Sequence, residues 1–214
     1  MKADPYDPIA SYYDFLSQAL GKPYRESKTL FLEMLEEGDK VLYLGGGTGR
    51  NLPVILERIG ESGKIIYIEA ASRMIEQAEK SIPLNPGSRV IFLHQSDFSA
   101  IPLESFDVVI TQYLLDILPD EDIDQLFQQI TKRTDKRSRW VFVDFFEVSG
   151  KRWLVKLMIR FFRFFTGNPR KDLPNYEDYF IKNGWQIYDR KSLDKGFIQG
   201  WLLKRTEIAQ AMDE

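Results

Sequence analysis

The sequence predicts an α/β fold: a doubly wound, mostly parallel sheet of seven strands that ends in an antiparallel strand pair. Three observations carry this expectation. Short apolar runs alternate with segments of helical spacing, the first run stops at three consecutive glycines, and two late apolar runs flank a polar Asp194-Lys195-Gly196 turn. Strands alternating with helices imply parallel pairing through right-handed crossovers. A short polar turn between two apolar runs implies a hairpin.

The elements follow in order. Lys40 to Leu44 is rich in strand formers and ends at Gly45, Gly46 and Gly47, which reads as a buried strand. From Asn51 the spacing turns helical and stops at Gly60. Lys64 to Glu69 is the second strand, and Arg73 to Lys80 a helix with Ser72 as its N-cap. Arg89 to Leu93 and Phe106 to Thr111 are further apolar strands. Asp120 to Arg133 carries Ile123, Leu126, Phe127 and Ile130 as a helical stripe, and Arg139 to Phe145 is the fifth strand. Trp185 to Arg190 and Phe197 to Lys204 form the closing pair.

At 214 residues the chain fits one domain, 1–214, with residues 1–37 as an N-terminal helical cap and 151–183 as a helical insertion. Its 43% hydrophobic and 29% charged residues are ordinary for a globular protein, and no apolar run approaches the ~20 residues that span a bilayer. The start of the chain has acids and prolines where a signal peptide needs a basic and then an apolar stretch, so a cytoplasmic location is expected. There is no cysteine and one histidine, which excludes thiol nucleophiles and argues against a metal-ligand cluster. The net charge of -3 argues against a nucleic-acid partner.

In Leu44-Gly45-Gly46-Gly47-Thr48-Gly49-Arg50 the glycines form G-x-G-x-G at a strand-to-helix junction, where the backbone turns sharply and a ligand can approach closely. A dinucleotide fingerprint counted from Gly45 needs a glycine at Arg50, which disfavours a nicotinamide dehydrogenase. Glu69 ends the next strand, where an acid accepts from ribose hydroxyls, or is simply a surface glutamate. Asp97 and Phe98 follow the third strand. They fit an adenine amine and ring, while the plain alternative is an Asp bonding its own turn. His94 reads as a core or edge histidine ahead of a catalytic one.

The segments VLYLGGGTGRN, IIYIEAASRMIEQA, SDFSAIP and FDVVIT resemble successive motifs of class I S-adenosylmethionine-dependent methyltransferases, across nearly the whole chain. Tyr13-Asp14, Gly46-Gly47-Thr48-Gly49, Glu61-Ser62-Gly63-Lys64 and Arg73-Met74-Ile75 are most similar to the ubiquinone/menaquinone-biosynthesis C-methyltransferases. The resemblance implies a Rossmann-like methyltransferase fold with S-adenosylmethionine as cofactor. It implies that Gly45, Gly47 and Gly49 line the methionine part, Glu69 holds the ribose, Met74 lies near adenine, and Asp97 with Phe98 completes that site. Gly46, Thr48, Ala70 and Gln112 complete the expected shell, and Tyr13 matches a family tyrosine in a stretch that folds over the cofactor.

Two positions depart from the pattern. Tyr43 stands where the family usually has an acid, and Tyr113-Leu114-Leu115-Asp116 replaces a Gly-Leu-Arg-Asn stretch. Methyl transfer needs positioning rather than a protein nucleophile. An acceptor that must lose a proton needs a base, and Asp116, with Tyr13 beside it, is the candidate; the alternative for Asp116 is a solvated acid before a helix.

From Lys151 to Lys171 there are seven basic residues and no acid. Arg152, Lys156, Arg160 and Arg163 share a helical face, and Trp153, Leu154, Leu157, Met158, Phe161, Phe164 and Phe165 cover much of the rest. Residues 151–167 thus suit a peripheral helix on anionic lipid, a cap over the substrate pocket, or a homodimer contact. Each version favours a small, lipophilic acceptor. The competing function is a catalytically inactive module that binds the cofactor or a membrane surface.

Overall fold

The computed structural model describes residues 20–82, 89–99, 101–166 and 169–206. Apolar residues on both faces make the central strands buried. In β1 (Lys40–Leu44) only Lys40 is exposed, β4 (Val108–Gln112) is buried throughout, and β2 (Lys64–Glu69) and β5 (Arg139–Phe145) are open only at their first residue. Burial on two sides is what a parallel sheet between helices requires. At the edge, β3 (Val90–His94) is half exposed.

With β6 (Trp185–Leu193) and β7 (Ile198–Arg205) the described residues form one seven-stranded sheet in the order β3-β2-β1-β4-β5-β7-β6. Strands β1 to β5 pair in parallel, and β7 runs antiparallel to both β5 and β6. The order reverses between β1 and β4, so their carboxyl ends open the crevice where doubly wound sheets bind ligands.

Six helices flank the sheet among the described residues: α1 (20–27), α2 (Leu52–Ile59), α3 (Ser72–Ser81), α4 (Asp120–Thr131), α5 (Arg152–Thr166) and α6 (Tyr176–Lys182). Helix α2 buries Leu52, Ile55, Leu56 and Ile59, one stripe at helical spacing, and stops at Gly60 with φ 63°. Helix α4 buries the expected Ile123, Leu126, Phe127 and Ile130, and its first-turn acids complement the helix dipole.

Strand alternation sends Leu42, Leu44, Ile66 and Ile68 to one face with Phe127, Trp140 and Trp185, and Val41, Tyr43, Ile65 and Tyr67 to the other with Ile55 and Leu202. A third cluster, Tyr24, Tyr113, Phe145, Met158, Ile159 and Phe197, seats α1 and α5 beside the strand exits. That cluster positions the site.

Beyond shifts of one or two residues at ends of α3, α4, β4 and β7, three boundaries are informative. Ser72 lies inside α3, whose N-cap is Ala71, because the Ala71 carbonyl accepts from the Met74 and Ile75 amides. Strand β3 runs one residue later, through His94, whose Nε2 meets Ala70 O at 2.8 Å. Strand β6 continues to Leu193 because its polar tail keeps pairing with β7 despite its exposure.

Candidate cofactor and acceptor site

The glycine loop leaves β1 at the crevice. Gly46 and Gly47 have different reasons for lacking a side chain. A Cβ on Gly46 would sit 2.2 Å from the Tyr67 ring, so packing alone demands glycine there. Gly47 has φ +64°, and a Cβ on it would meet only Met74 Sδ, at 3.8 Å. Its face is therefore open to a ligand. Gly45, Thr48 and Gly49 complete the turn, with Gly45 against Leu114 at the exit of β4 and Gly49 against Ala78 of α3.

Glu69 binds this loop to α3. Its Oε2 accepts from the Gly47 amide at 2.9 Å, and its Oε1 accepts from the Ala70 and Ala71 amides at 2.9 and 3.0 Å. Burial raises the carboxyl's pKa, and those three N–H groups oppose the rise. The Tyr67 hydroxyl donates to Gly47 O at 2.7 Å, which fixes the loop from below.

A cavity of about 260 Å³ opens over Gly47. Gly46, Gly47, Thr48, Arg50, Asn51 and Met74 line one side, and Tyr24, Arg25, Lys28 and Thr29 the other. An open groove of about 1170 Å³ lies along α6 and β6 at the sheet's far edge, away from the strand exits. The smaller cavity opens over a glycine loop that the buried Glu69 holds, which makes it the candidate site.

Other expected residues fall in different places. Asp97 Oδ1 accepts from the Ser99 amide at 2.9 Å and from its hydroxyl, an exposed self-bonded turn, while Phe98 joins the core between Leu44 and Leu114. Gln112 faces inward: its Nε2 donates to Lys28 O at 3.0 Å, and its Oε1 accepts from the Tyr43 hydroxyl at 3.0 Å. Asn51 Nδ2 donates to Lys28 O at 3.1 Å and to the Tyr43 hydroxyl at 3.0 Å. Tyr43 thus ties β1, β4 and α2 to the end of α1, and burial raises its pKa. Tyr13 lies outside the described residues.

Sequence reasoning missed Lys28, Asp144 and Tyr176. The Lys28 ammonium lies 4.7 Å from the Tyr113 ring centroid and 5.4 Å from that of Tyr24. Burial lowers its pKa to about 8, against the fields of Glu69, Asp144 and Asp116. Tyr113, at φ 60°, packs between Tyr24 and Phe145 at 4.7 and 4.5 Å.

Asp116 follows β4 in a single 3-10 turn, Leu115–Ile117, and Asp144 stands on β5; both are buried. The Asp116 amide donates to Asp144 Oδ2 at 3.3 Å, and the Phe145 amide to Asp144 Oδ1 at 2.8 Å. Burial pushes Asp116 up to about 7, and burial together with the Asp116 charge holds Asp144 well above the carboxylate range. Asp116 Oδ1 and the Tyr176 hydroxyl have no hydrogen-bond partner among the described residues. The signal available in the sequence was the acid in Val141-Phe142-Val143-Asp144-Phe145, an ionisable group inside an apolar strand.

Residues 41–136 match a family model described as a methyltransferase domain. The protein-L-isoaspartate O-methyltransferase of Thermotoga maritima is 30% identical over 100 residues, 45% of this chain and 32% of that protein. The demethylmenaquinone methyltransferase of Lactobacillus johnsonii is 29% identical over 124 residues, 56% of this chain and 51% of that one. These matches thus span about half or less of the curated relatives' length. The fold is that of a SAM-dependent methyltransferase from Aquifex aeolicus, with TM-score 0.63, 20% identity, and coverage of 96% of this chain and 100% of that one. From β1 past α4, residues 41–136 are thus similar to a methyltransferase domain, and the fold is that of S-adenosylmethionine-dependent methyltransferases, which take S-adenosylmethionine as cofactor.

Proposed function

We propose that the protein transfers a methyl group from S-adenosylmethionine to a small, hydrophobic acceptor. The observation that carries this is the cavity over Gly47, whose loop the buried Glu69 holds and whose Lys28 lies over the ring of Tyr113, just beyond β4. Gly47 leaves room for the cofactor's backbone-close part, Glu69 Oε2 keeps a lone pair for a ribose hydroxyl, and Met74 gives an apolar surface. When bound, the cofactor supplies an electrophilic methyl group on a sulfonium. The chain's own residues hold the acceptor in line, exclude water and receive a proton where the acceptor carries one. Tyr24, Tyr113 and Phe145 favour an apolar acceptor body, and Asp116 is the candidate base.

A cofactor-binding module without catalysis is the second reading. Tyr43 favours it, because its buried hydroxyl is spent on Asn51 and Gln112 and offers no charge to the cofactor's ammonium. Calorimetry with S-adenosylhomocysteine, followed by a methyl-transfer assay on lipophilic hydroxy compounds, separates the two. Binding with transfer supports the enzyme. Binding without transfer supports the module, and no binding removes both.

The same reading extends to a peripheral site of action on an anionic membrane. No helix among the described residues is long and apolar enough to cross a membrane. Helix α5 instead buries Val155, Met158 and Ile159 and exposes Trp153, Leu157 and Phe164, with Lys156, Arg160 and Arg163 around them. Apolar groups flanked by cations suit an anionic bilayer surface. Vesicles of phosphatidylglycerol should co-sediment the protein at low salt, and those of phosphatidylcholine should not. Equal behaviour toward both, or a concentration-dependent dimer that hides α5, would remove the membrane reading.

A further inference from the structure

The carboxyl pair at the exits of β4 and β5 is an expensive arrangement. Asp116 and Asp144 are both buried; the Asp116 and Phe145 amides donate to Asp144, and the Asp116 carboxyl and the Tyr176 hydroxyl lie close enough to act on it. A buried polar atom left unsatisfied costs ~1 to 3 kcal/mol. Here two such atoms, Asp116 Oδ1 and the Tyr176 hydroxyl, share one neighbourhood, since the charges of both aspartates act on Tyr176. Two unsatisfied atoms, one in a buried acid pair at the exits of β4 and β5 and one beside it, mark a place built for a polar atom of a ligand.

Charge and shape restrict that ligand. Lys28 lies over the Tyr113 ring within the field of both aspartates, so a cationic amine entering here would meet an ammonium, whereas an oxygen that becomes negative would meet a counter-charge. The walls are aromatic: Tyr24, Tyr113 and Phe145 stack in series, with ring centroids 4.7 and 4.5 Å apart. Flat, weakly acidic hydroxyl compounds fit these conditions better than carboxylates, which the pair would repel.

We propose that Asp116, Asp144, Lys28 and Tyr176 form the acceptor subsite and that it selects a phenol or enol, with Asp116 receiving the proton and Asp144 acting as a positioning residue. This rests on the methyltransferase reading above. In the step, the hydroxyl proton passes to Asp116 Oδ1 and the hydroxyl oxygen bonds to the methyl carbon. The carbon–sulfur bond breaks, and its electron pair stays on sulfur. The products are a methyl ether, a neutral thioether and a protonated Asp116, which returns its proton to water on product release. Asp144 holds the Asp116 turn through its bond to the Asp116 amide and stays protonated beside it.

The test uses 4-nitrophenol as probe, because its absorbance reports ionisation without turnover. Bound to the wild-type protein, it is expected to show a shifted absorption band and to raise the infrared signal of a protonated carboxyl. In Asp116→Asn that probe-induced rise should vanish and affinity should fall about ten-fold or more, the loss of one charge-assisted hydrogen bond. Asp144→Asn should keep the signal and shift its pH dependence. S-adenosylhomocysteine affinity, measured by calorimetry, should stay within about two-fold in both variants, because neither residue lines the cofactor cavity. Probe binding unaltered by Asp116→Asn, or no probe binding by a protein that binds S-adenosylhomocysteine, would overturn the subsite alone. Loss of S-adenosylhomocysteine binding by the wild type would overturn the methyltransferase reading beneath it.

Discussion

Replacing Asp144 by Asn is expected to make the protein more stable at pH 8 and to leave it nearly unchanged, or slightly weaker, at pH 5. In the native fold both carboxyls of the pair titrate above their ordinary values, because burial opposes ionisation of each and the Asp116 charge adds to it at Asp144. A group whose folded pKa is raised binds more protons folded than unfolded. Its stabilising contribution is complete below the unfolded value and is lost as pH rises through the folded one. For Asp116 that window runs from 3.8 to about 7, on the order of 4 kcal/mol at ~1.4 kcal/mol per pH unit. The side-chain amide introduced by Asp144→Asn can accept from the Phe145 amide as the carboxyl does and can donate to Asp116, which eases Asp116 ionisation. Against this stands the long 3.3 Å bond from the Asp116 amide, worth about 1 kcal/mol or less. The net gain at pH 8 should be ~1 to 3 kcal/mol. Urea unfolding at pH 5, 6.5 and 8 measures it. A variant-minus-native difference that does not change with pH would refute the shared-charge argument.

Three further outcomes follow from the same geometry. Gly47→Ala should weaken S-adenosylhomocysteine binding about ten-fold while costing only ~1 to 2 kcal/mol of stability for its positive φ, whereas Gly46→Ala should destabilise more strongly because its Cβ has no room beside Tyr67; calorimetry and urea unfolding on both variants check the contrast. Glu69→Gln keeps one acceptor oxygen where three amide donors now converge, so both thermal stability and cofactor affinity should drop, read by differential scanning and titration calorimetry. Lys28 has its folded pKa lowered from 10.5 to about 8, so the unfolded chain binds more protons between these values and stability should rise with pH across that window; Lys28→Met should flatten this rise in urea unfolding.

How much was legible depended on how local each cause is. Strands β1, β2 and β5 match the sequence reading at both ends because a glycine, a charge or a turn abruptly ends each apolar run. The closing hairpin was readable from Asp194-Lys195-Gly196, where three successive positive φ values between 50° and 90° make the turn. The end of β6 was not, since its polar residues are held by pairing with β7 rather than by burial. Ser72 had the chemistry of an N-cap, but the helix begins one residue earlier, with the Ala71 carbonyl accepting from the Met74 and Ile75 amides, and nothing in the local pattern distinguishes the two.

Gly47 and Glu69 emerge at neighbouring strand ends, as their spacing after a strand leads one to expect, and a hydrogen bond joins them. Asp97 was equally well spaced, yet its carboxylate is engaged by Ser99, two residues on. Lys28 and Asp144 were missed for a different reason. They meet the glycine loop and Asp116 only through the fold, Lys28 from the N-terminal helical cap and Asp144 from a strand in which only its charge stood out.

The central claim is methyl transfer to a small lipophilic hydroxyl compound at the exits of β1, β4 and β5. Labelled S-adenosylmethionine incubated with the protein and a cell extract, then partitioned between lipid, water-soluble and protein fractions, tests it most directly. The account requires label in the lipophilic small-molecule fraction as a methyl ether, lost in Asp116→Asn. Label in the protein fraction, or none with a protein that binds S-adenosylhomocysteine, would contradict it.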